Sequence, residues 1–219
     1  MTQSHRLLVL VGSPRRNGNS ATLAKAVQRG AESSGAQVSL RFFDDFISSF
    51  LRDCRLCRLT SGECAISDQF RSLFFDDFLP AHGVIFCSPV YWYGLSAQTK
   101  AFFDRTFCYY AASYPRAAEV MQGMSGKRIG LVLASEETYP GASLGIVHQI
   151  QEFSCYTHSE FVGVVRGIGN NRSEVTRDPG DPMLAAEQLG REIFSRKHSD
   201  YRIDTQRSGR VWPSKPVNQ

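Results

Sequence analysis

Five short apolar runs, each followed by a stretch of helical character, constrain this chain more than any other feature. The runs are residues 6–12, 37–43, 83–88, 127–134 and 160–165. Leu7-Leu8-Val9-Leu10-Val11 and Gly83-Val84-Ile85-Phe86-Cys87 are continuous rather than alternating, as in strands buried on both faces. The helical stretches are 19–34, 67–79, 95–109, 142–156 and 182–197, and Gly35 stands where a glycine ends the first of them. Strands alternating with helices form a parallel sheet with a helical layer on each face. Right-handed crossovers then give a doubly wound α/β fold.

Length and charge narrow the function. The sequence reads as one domain over residues 1–198 with a basic tail, 199–219, that is either disordered or packed on a neighbouring subunit. With 42% hydrophobic and 21% charged residues it has the make-up of a soluble globular protein. A net charge of +4 does not call for nucleic acid, and no aromatic-basic platform is evident. No apolar stretch is as long as a membrane span, and because residues 1–6 lead straight into the first strand no signal peptide is expected. Six cysteines do not make a disulfide scaffold at this size, so a reducing cytoplasm is the expected setting.

In such a sheet, ligands bind beyond the carboxyl ends of the strands. The first loop there is Gly12-Ser13-Pro14-Arg15-Arg16-Asn17-Gly18-Asn19-Ser20, which opens the first helix. Unpaired N–H groups at a helix N-terminus suit a phosphate. Ser13, Asn19, Ser20 and Thr22 add hydroxyl and amide donors, and Arg15 and Arg16 add fixed charge. The loop is not a P-loop, because Asn17-Gly18-Asn19 occupies the end where Gly-Lys-Ser/Thr belongs. Nor is it a dinucleotide fingerprint, because Pro14 stands at the second glycine. An ordinary strand-to-helix loop with a serine cap is the plain alternative.

The third strand is expected to stop at Pro89, leaving Ser88-Pro89-Val90-Tyr91-Trp92-Tyr93-Gly94 as a loop at the same edge. Three consecutive aromatics there suit the wall of a flat heteroaromatic ring. Packing over the sheet edge or into an oligomer interface is the other account. The polar loop Ala134-Ser135-Glu136-Glu137-Thr138-Tyr139-Pro140-Gly141 reaches this edge from the fourth strand.

Taken in order, Gly12-Ser13-Pro14-Arg15 with Asn19-Ser20, then Ser88-Pro89-Val90-Tyr91-Trp92-Tyr93, then Lys100-Ala101-Phe102-Phe103-Asp104-Arg105 resemble the NADPH-dependent FMN reductase family. Its relatives include the iron–sulfur flavoproteins and flavodoxin-like quinone reductases. The resemblance spans about residues 6–197. It implies a flavodoxin-like five-stranded sheet, order 2-1-3-4-5, with FMN at the carboxyl edge. It further implies that Ser13, Arg15, Asn19 and Ser20 hold the FMN phosphate, with Thr22 a further cofactor contact. Pro89, Val90, Tyr91, Trp92, Tyr93 and Gly94 would line the ribityl chain and isoalloxazine, and Ser135 would be a lesser contact.

The expected activity is transfer of electrons from NADPH or NADH through FMN to a quinone, free flavin or similar small acceptor. The expected assembly is a homodimer or homotetramer. A flavodoxin-type carrier serving a protein partner and a flavin-binding module without turnover are the rival functions. No acid–base residue is singled out, and Lys100 with Asp104 reads as an i,i+4 helix pair.

Cys54, Cys57 and Cys64 form a cluster in which Thr60 stands where the iron–sulfur flavoproteins have a further cysteine. Three local thiolates do not make a standard [4Fe–4S] site, and zinc would also need a fourth ligand. A redox dithiol is a third option. A loop of reduced, partly buried thiols without metal is the favoured expectation. Cys87, Cys108 and Cys155 read as small core residues.

Overall fold

The computed structural model describes residues 4–198, so the expected basic tail lies outside the described residues. The strands are β1 (Arg6–Val11), β2 (Gln37–Phe42), β3 (Gly83–Tyr91), β4 (Gly94–Leu95), β5 (Arg128–Ser135) and β6 (Glu160–Ile168). The five longer strands are parallel in the order β2-β1-β3-β5-β6, and two-residue β4 pairs antiparallel to β3. Counting only the long strands, this is the expected flavodoxin-like order.

Alternation along the strands divides the interior into two cores. Leu7, Val9 and Val11 of β1 face one layer, which is built by α1 (Asn19–Ser33) and α6 (Pro182–Glu192). Leu8 and Leu10 face the other, where α2 (Phe70–Ser72), α3 (Ala97–Tyr110), α4 (Ala117–Met124) and α5 (Leu144–Thr157) pack. That second core is aromatic: Phe102 meets Phe43, Phe78 and Phe86 with ring centroids 5.0, 4.9 and 5.9 Å apart. Contacts of this kind add roughly 0.5–1.5 kcal/mol each beyond area burial.

The two helices of the first layer cross at glycines. A Cβ on Gly30 would lie 1.8 Å from the Glu187 carbonyl oxygen, and one on Gly190 would lie 2.1 Å from that of Val27. This close crossing seats α1 against the sheet and fixes where its N-terminus points. At the other end of α1, Gly35 has φ +84° and ends the helix as expected.

Several boundaries differ from the sequence reading. β3 does not stop at Pro89 but continues to Tyr91. The Gly12 N–H donates to the Cys87 carbonyl at 2.7 Å, so Cys87 points its polar groups towards β1, and alternation turns the Pro89 nitrogen the same way. β1 has already ended there, so the missing N–H of Pro89 removes no ladder bond. The amphipathic segment after the cysteines becomes α2 and then winds into a π-helical turn over Leu73–Phe78. Helix α4 is additional: eight residues including a glycine give too few turns for a clear periodicity. β6 runs three residues beyond the expected end, and α6 stops at Glu192 rather than 197.

Candidate functional site

The carboxyl edge of the sheet holds a cleft of about 300 Å³, at the small end of the range for small-molecule sites. The loop after β1 supplies its floor. Gly18 is the extended residue before α1 and offers no side-chain cap, so the first N–H groups of the helix face this end without an intrahelical partner. Ser13, Arg15, Asn19 and Ser20 line the cleft, as do Pro89, Val90 and Tyr91 from β3 and Ser135 from β5. Ser13 is anchored by accepting the Arg15 N–H at 3.3 Å.

A buried hydroxyl cluster holds the floor to α3. Ser88, Ser96 and Thr99 are all fully buried. Ser96 caps α3 by accepting the Thr99 N–H at 3.3 Å and donates its own proton to the Gly12 carbonyl at 2.7 Å. The Ser96 N–H in turn donates to the Ser88 hydroxyl at 3.1 Å. Only glycine fits at position 12, since a Cβ would lie 1.9 Å from the Thr99 hydroxyl oxygen.

Other residues singled out by sequence fall elsewhere. Thr22 turns its hydroxyl back onto its own helix, donating to the Gly18 carbonyl at 3.0 Å. Arg16 lies over the Phe42 ring, 3.9 Å from its centroid, and pairs with Asp45. Asn19 lines the cleft, but both ends of its carboxamide are occupied: Nδ2 donates to the Gly169 carbonyl at 2.8 Å, and Oδ1 accepts the Val175 N–H at 3.2 Å.

Of the aromatic trio, only Tyr91 lines the cleft. Trp92 and Tyr93 form the two-residue turn between β3 and β4, with φ +49° and +59°. The Trp92 side chain is 96% exposed, so it neither packs over the sheet nor enters the cleft. The Tyr93 ring lies 6.3 Å from that of Tyr139, and Tyr139 and Glu137 hold the Tyr93 phenol above its ordinary pKa. Gly94 opens β4 on the far side of this turn.

The loop after β6 is the part that sequence reading missed. Gly169, Asn170, Asn171 and Arg172 line the same cleft. The Glu174 carboxylate accepts the N–H groups of Asn171 and Asn170, both at 2.8 Å, and these bonds hold its pKa below the ordinary glutamate value. The signal was topological: every loop at the carboxyl end of a parallel strand reaches the ligand edge.

The sequence pattern of the family described as NADPH-dependent FMN reductase matches residues 5–167. The chain belongs to this family. Members of the NADPH-dependent FMN reductase family are FMN-binding oxidoreductases, and this chain has the flavodoxin-like sheet order. It is 26% identical over 174 residues to a Bacillus subtilis protein named as an NAD(P)H-dependent FMN-containing oxidoreductase, YwqN, covering 79% of this chain and 90% of that one. A shorter match, 31% over 102 residues, joins 46% of this chain to 44% of an iron–sulfur flavoprotein from Archaeoglobus fulgidus. Among solved structures, the Trp repressor binding protein of Bacillus subtilis superposes with a TM-score of 0.64 at 21% identity, over 87% of this chain and 99% of that one. An NAD(P)H:quinone oxidoreductase from Methanothermobacter marburgensis superposes at 0.63 with 15% identity, over 90% and 100%. At such identities the superpositions speak to the fold.

The residues fit FMN. Backbone donors and hydroxyls in the lining would suit a phosphate, and a half-buried strand end with Pro89 and Val90 would suit the rest of the flavin.

The cysteines lie in a separate cavity. Cys54, Cys57 and Cys64 line it, and Cys108 of α3 joins them from the core side, within hydrogen-bonding reach of Cys57. Burial pushes the Cys108 thiol up to about 12. Among the described residues, no three His, Cys, Asp or Glu side chains stand together as an ion would require. Beside this cavity, Arg105 and Asp68 form a buried pair, with side chains 3% and 5% exposed. Lys100 pairs with Asp104 on the helix surface, as the sequence suggested.

Proposed function

We propose that this protein uses bound FMN to oxidise NADPH or NADH and to reduce a small acceptor such as a quinone or a free flavin. The observation that carries this reading is the cleft itself. A helix N-terminus, Ser13, Ser20 and Arg15 stand at one end, with Pro89, Val90 and Tyr91 alongside. When bound, FMN is the group that supplies the redox chemistry, taking electrons from the nicotinamide and giving them up to the acceptor.

The chain's own residues bind and orient. Arg15 and the first N–H groups of α1 hold the phosphate, Ser13 and Ser20 donate to it, and Pro89 to Tyr91 give the ribityl chain and ring an apolar wall. Ser135 is committed to its own turn, donating to the Glu137 carbonyl at 3.0 Å, and supports the wall rather than donating to the cofactor. The family resemblance also supports a homodimer or homotetramer working in the cytoplasm. Among the described residues no helix is long and apolar enough to cross a membrane.

The test is anaerobic mixing of FMN-loaded protein with NADPH and, separately, NADH, followed by addition of a quinone. Bleaching of the visible flavin band by a nicotinamide, and its return with quinone, is the expected result. Retention of the oxidised spectrum with both nicotinamides would exclude the reductase and leave a carrier or a binding module.

A further inference from the structure

The loop after β6 carries no recognised motif, and the family match ends at residue 167, short of it. It nonetheless brings a second arginine to the cleft. Arg15 on the first loop of the sheet and Arg172 on the last both line it. Both are exposed, and among the described residues neither guanidinium has a hydrogen-bond or ion-pair partner. Arg16, next to Arg15, is by contrast consumed by Asp45.

The position of Arg172 is set by its neighbour. The Ser173 hydroxyl donates to the Asn17 carbonyl at 3.0 Å and lies 3.4 Å from the Thr22 hydroxyl. Arg172 therefore adjoins a residue whose side chain is bonded to the loop that opens α1. A side chain as long as arginine reaches the phosphate end from there. Asn19 makes the second attachment, spending its carboxamide on Gly169 and Val175 rather than leaving it for a ligand. One donor and one acceptor on a single planar group match one carbonyl and one N–H, which a carboxylate, having no donor, does not.

We propose that Arg172 is a second phosphate-binding residue of this cleft and that Asn19 is the residue that positions it. The site then selects a phosphorylated flavin with two arginines carried on the first and last loops of the sheet. A phosphate monoester carries nearly two negative charges at neutral pH, and two guanidiniums match it. Riboflavin, which lacks the phosphate, has nothing for them to grip. This inference rests on the FMN reading above.

The experiment is a set of equilibrium titrations of FMN and riboflavin, by quenching of flavin fluorescence, into the full-length protein and its variants. Arg172→Ala is expected to weaken FMN binding by about tenfold or more, the scale of one charge-assisted hydrogen bond, and to leave riboflavin within about twofold. Arg172→Lys recovers part of the loss. Asn19→Ala is expected to lower the FMN-to-riboflavin preference in the same way, and adding Arg172→Ala to it costs little more, because the two act through one loop.

Equal losses for both flavins, or unchanged FMN affinity in Arg172→Ala, overturn the role of Arg172. Fully additive losses in the double variant overturn the positioning role of Asn19. If Asn19→Ala does not fold, Ser173→Ala cuts the other attachment and is expected to give the same selective loss. Unaltered FMN preference in that variant counts against the proposal. A native protein that binds neither flavin defeats the FMN reading itself, an outcome distinct from native binding with an indifferent Arg172.

Discussion

The hydroxyl of Ser96 donates to the carbonyl of Gly12 at 2.7 Å, joining the cap of α3 to the loop that opens α1. Both groups are buried, so neither exchanges this bond for water. Ser96→Ala removes a helix cap and strands a buried carbonyl. The expected loss is about 1–2 kcal/mol of stability, with weaker FMN binding because the loop is no longer held. Denaturant unfolding and flavin titration on one preparation check this. Full stability in the variant would show that the hydroxyl cluster is dispensable.

Trp92 and Tyr93 both occupy the left-handed region, where ordinary residues lose about 1–2 kcal/mol each. The turn geometry is the one that Asn-Gly prefers. Trp92→Asn with Tyr93→Gly is therefore expected to stabilise the ligand-free protein by roughly 1 kcal/mol or more. If the exposed aromatics cover the flavin or receive the acceptor, the same change lowers quinone turnover. A more stable variant with undiminished turnover would remove both from the functional surface.

Asp68 is held by Arg105 through two guanidinium nitrogens, one at 2.8 Å, and also accepts the Ser48 and Phe70 N–H groups. Burial pushes its pKa up, but Arg105 and the two N–H groups outweigh this, and the net direction is down. A depressed carboxylate stabilises the fold above the unfolded value of about 3.9 and loses that contribution as pH falls through the lower folded value. Asp68→Asn is thus expected to cost about 3–5 kcal/mol near neutrality, by leaving the Arg105 charge buried alone. Its stability should then be flatter than that of the native protein below pH ~4. Parallel pH profiles for the two proteins would show that the pair does not titrate with folding.

Lys127 is buried, with its ammonium donating to the Leu79 and Ala81 carbonyls, and burial pulls its pKa down to about 7. The unfolded lysine keeps its proton to about 10.4. Between these values the unfolded state binds more protons, so stability rises with pH. Comparing native protein with Lys127→Met from pH ~7 to ~10 isolates this, and the difference should move in favour of the native protein. An unmoving difference would mean that the two carbonyls keep the amine charged throughout.

Cys54, Cys57, Cys64 and Cys108 line one cavity. Protein purified without oxygen is expected to carry negligible iron and acid-labile sulfide. About four irons per chain, the content of one cubane cluster, would show that Cys108 completes a ligand set.

The sheet was legible because its central strands β1 and β3 are continuous apolar runs and helical stretches separate all five long strands, and the order followed from the family motifs. The first loop was legible because its donors lie within one short stretch: Ser13, Arg15 and Ser20 all line the cleft. What sequence could not show were partners far away in the chain. Asn19 looks like a ligand until its carboxamide is seen spent on Gly169 and Val175. Cys108 looks like a core residue until α3 turns it towards Cys57. The aromatic trio shares one stretch of sequence, but the hairpin turn after Tyr91 sends Trp92 out into solvent.

The attachments of Asn19 to Gly169 and of Ser173 to Asn17 bridge 150 and 156 positions. They give the cleft an order of assembly. A chain emerging from the ribosome presents its first loop early, yet that loop has no opposite bank until the last strand is in place. Fragments that end before residue 169 therefore possess the motif without the completed cleft.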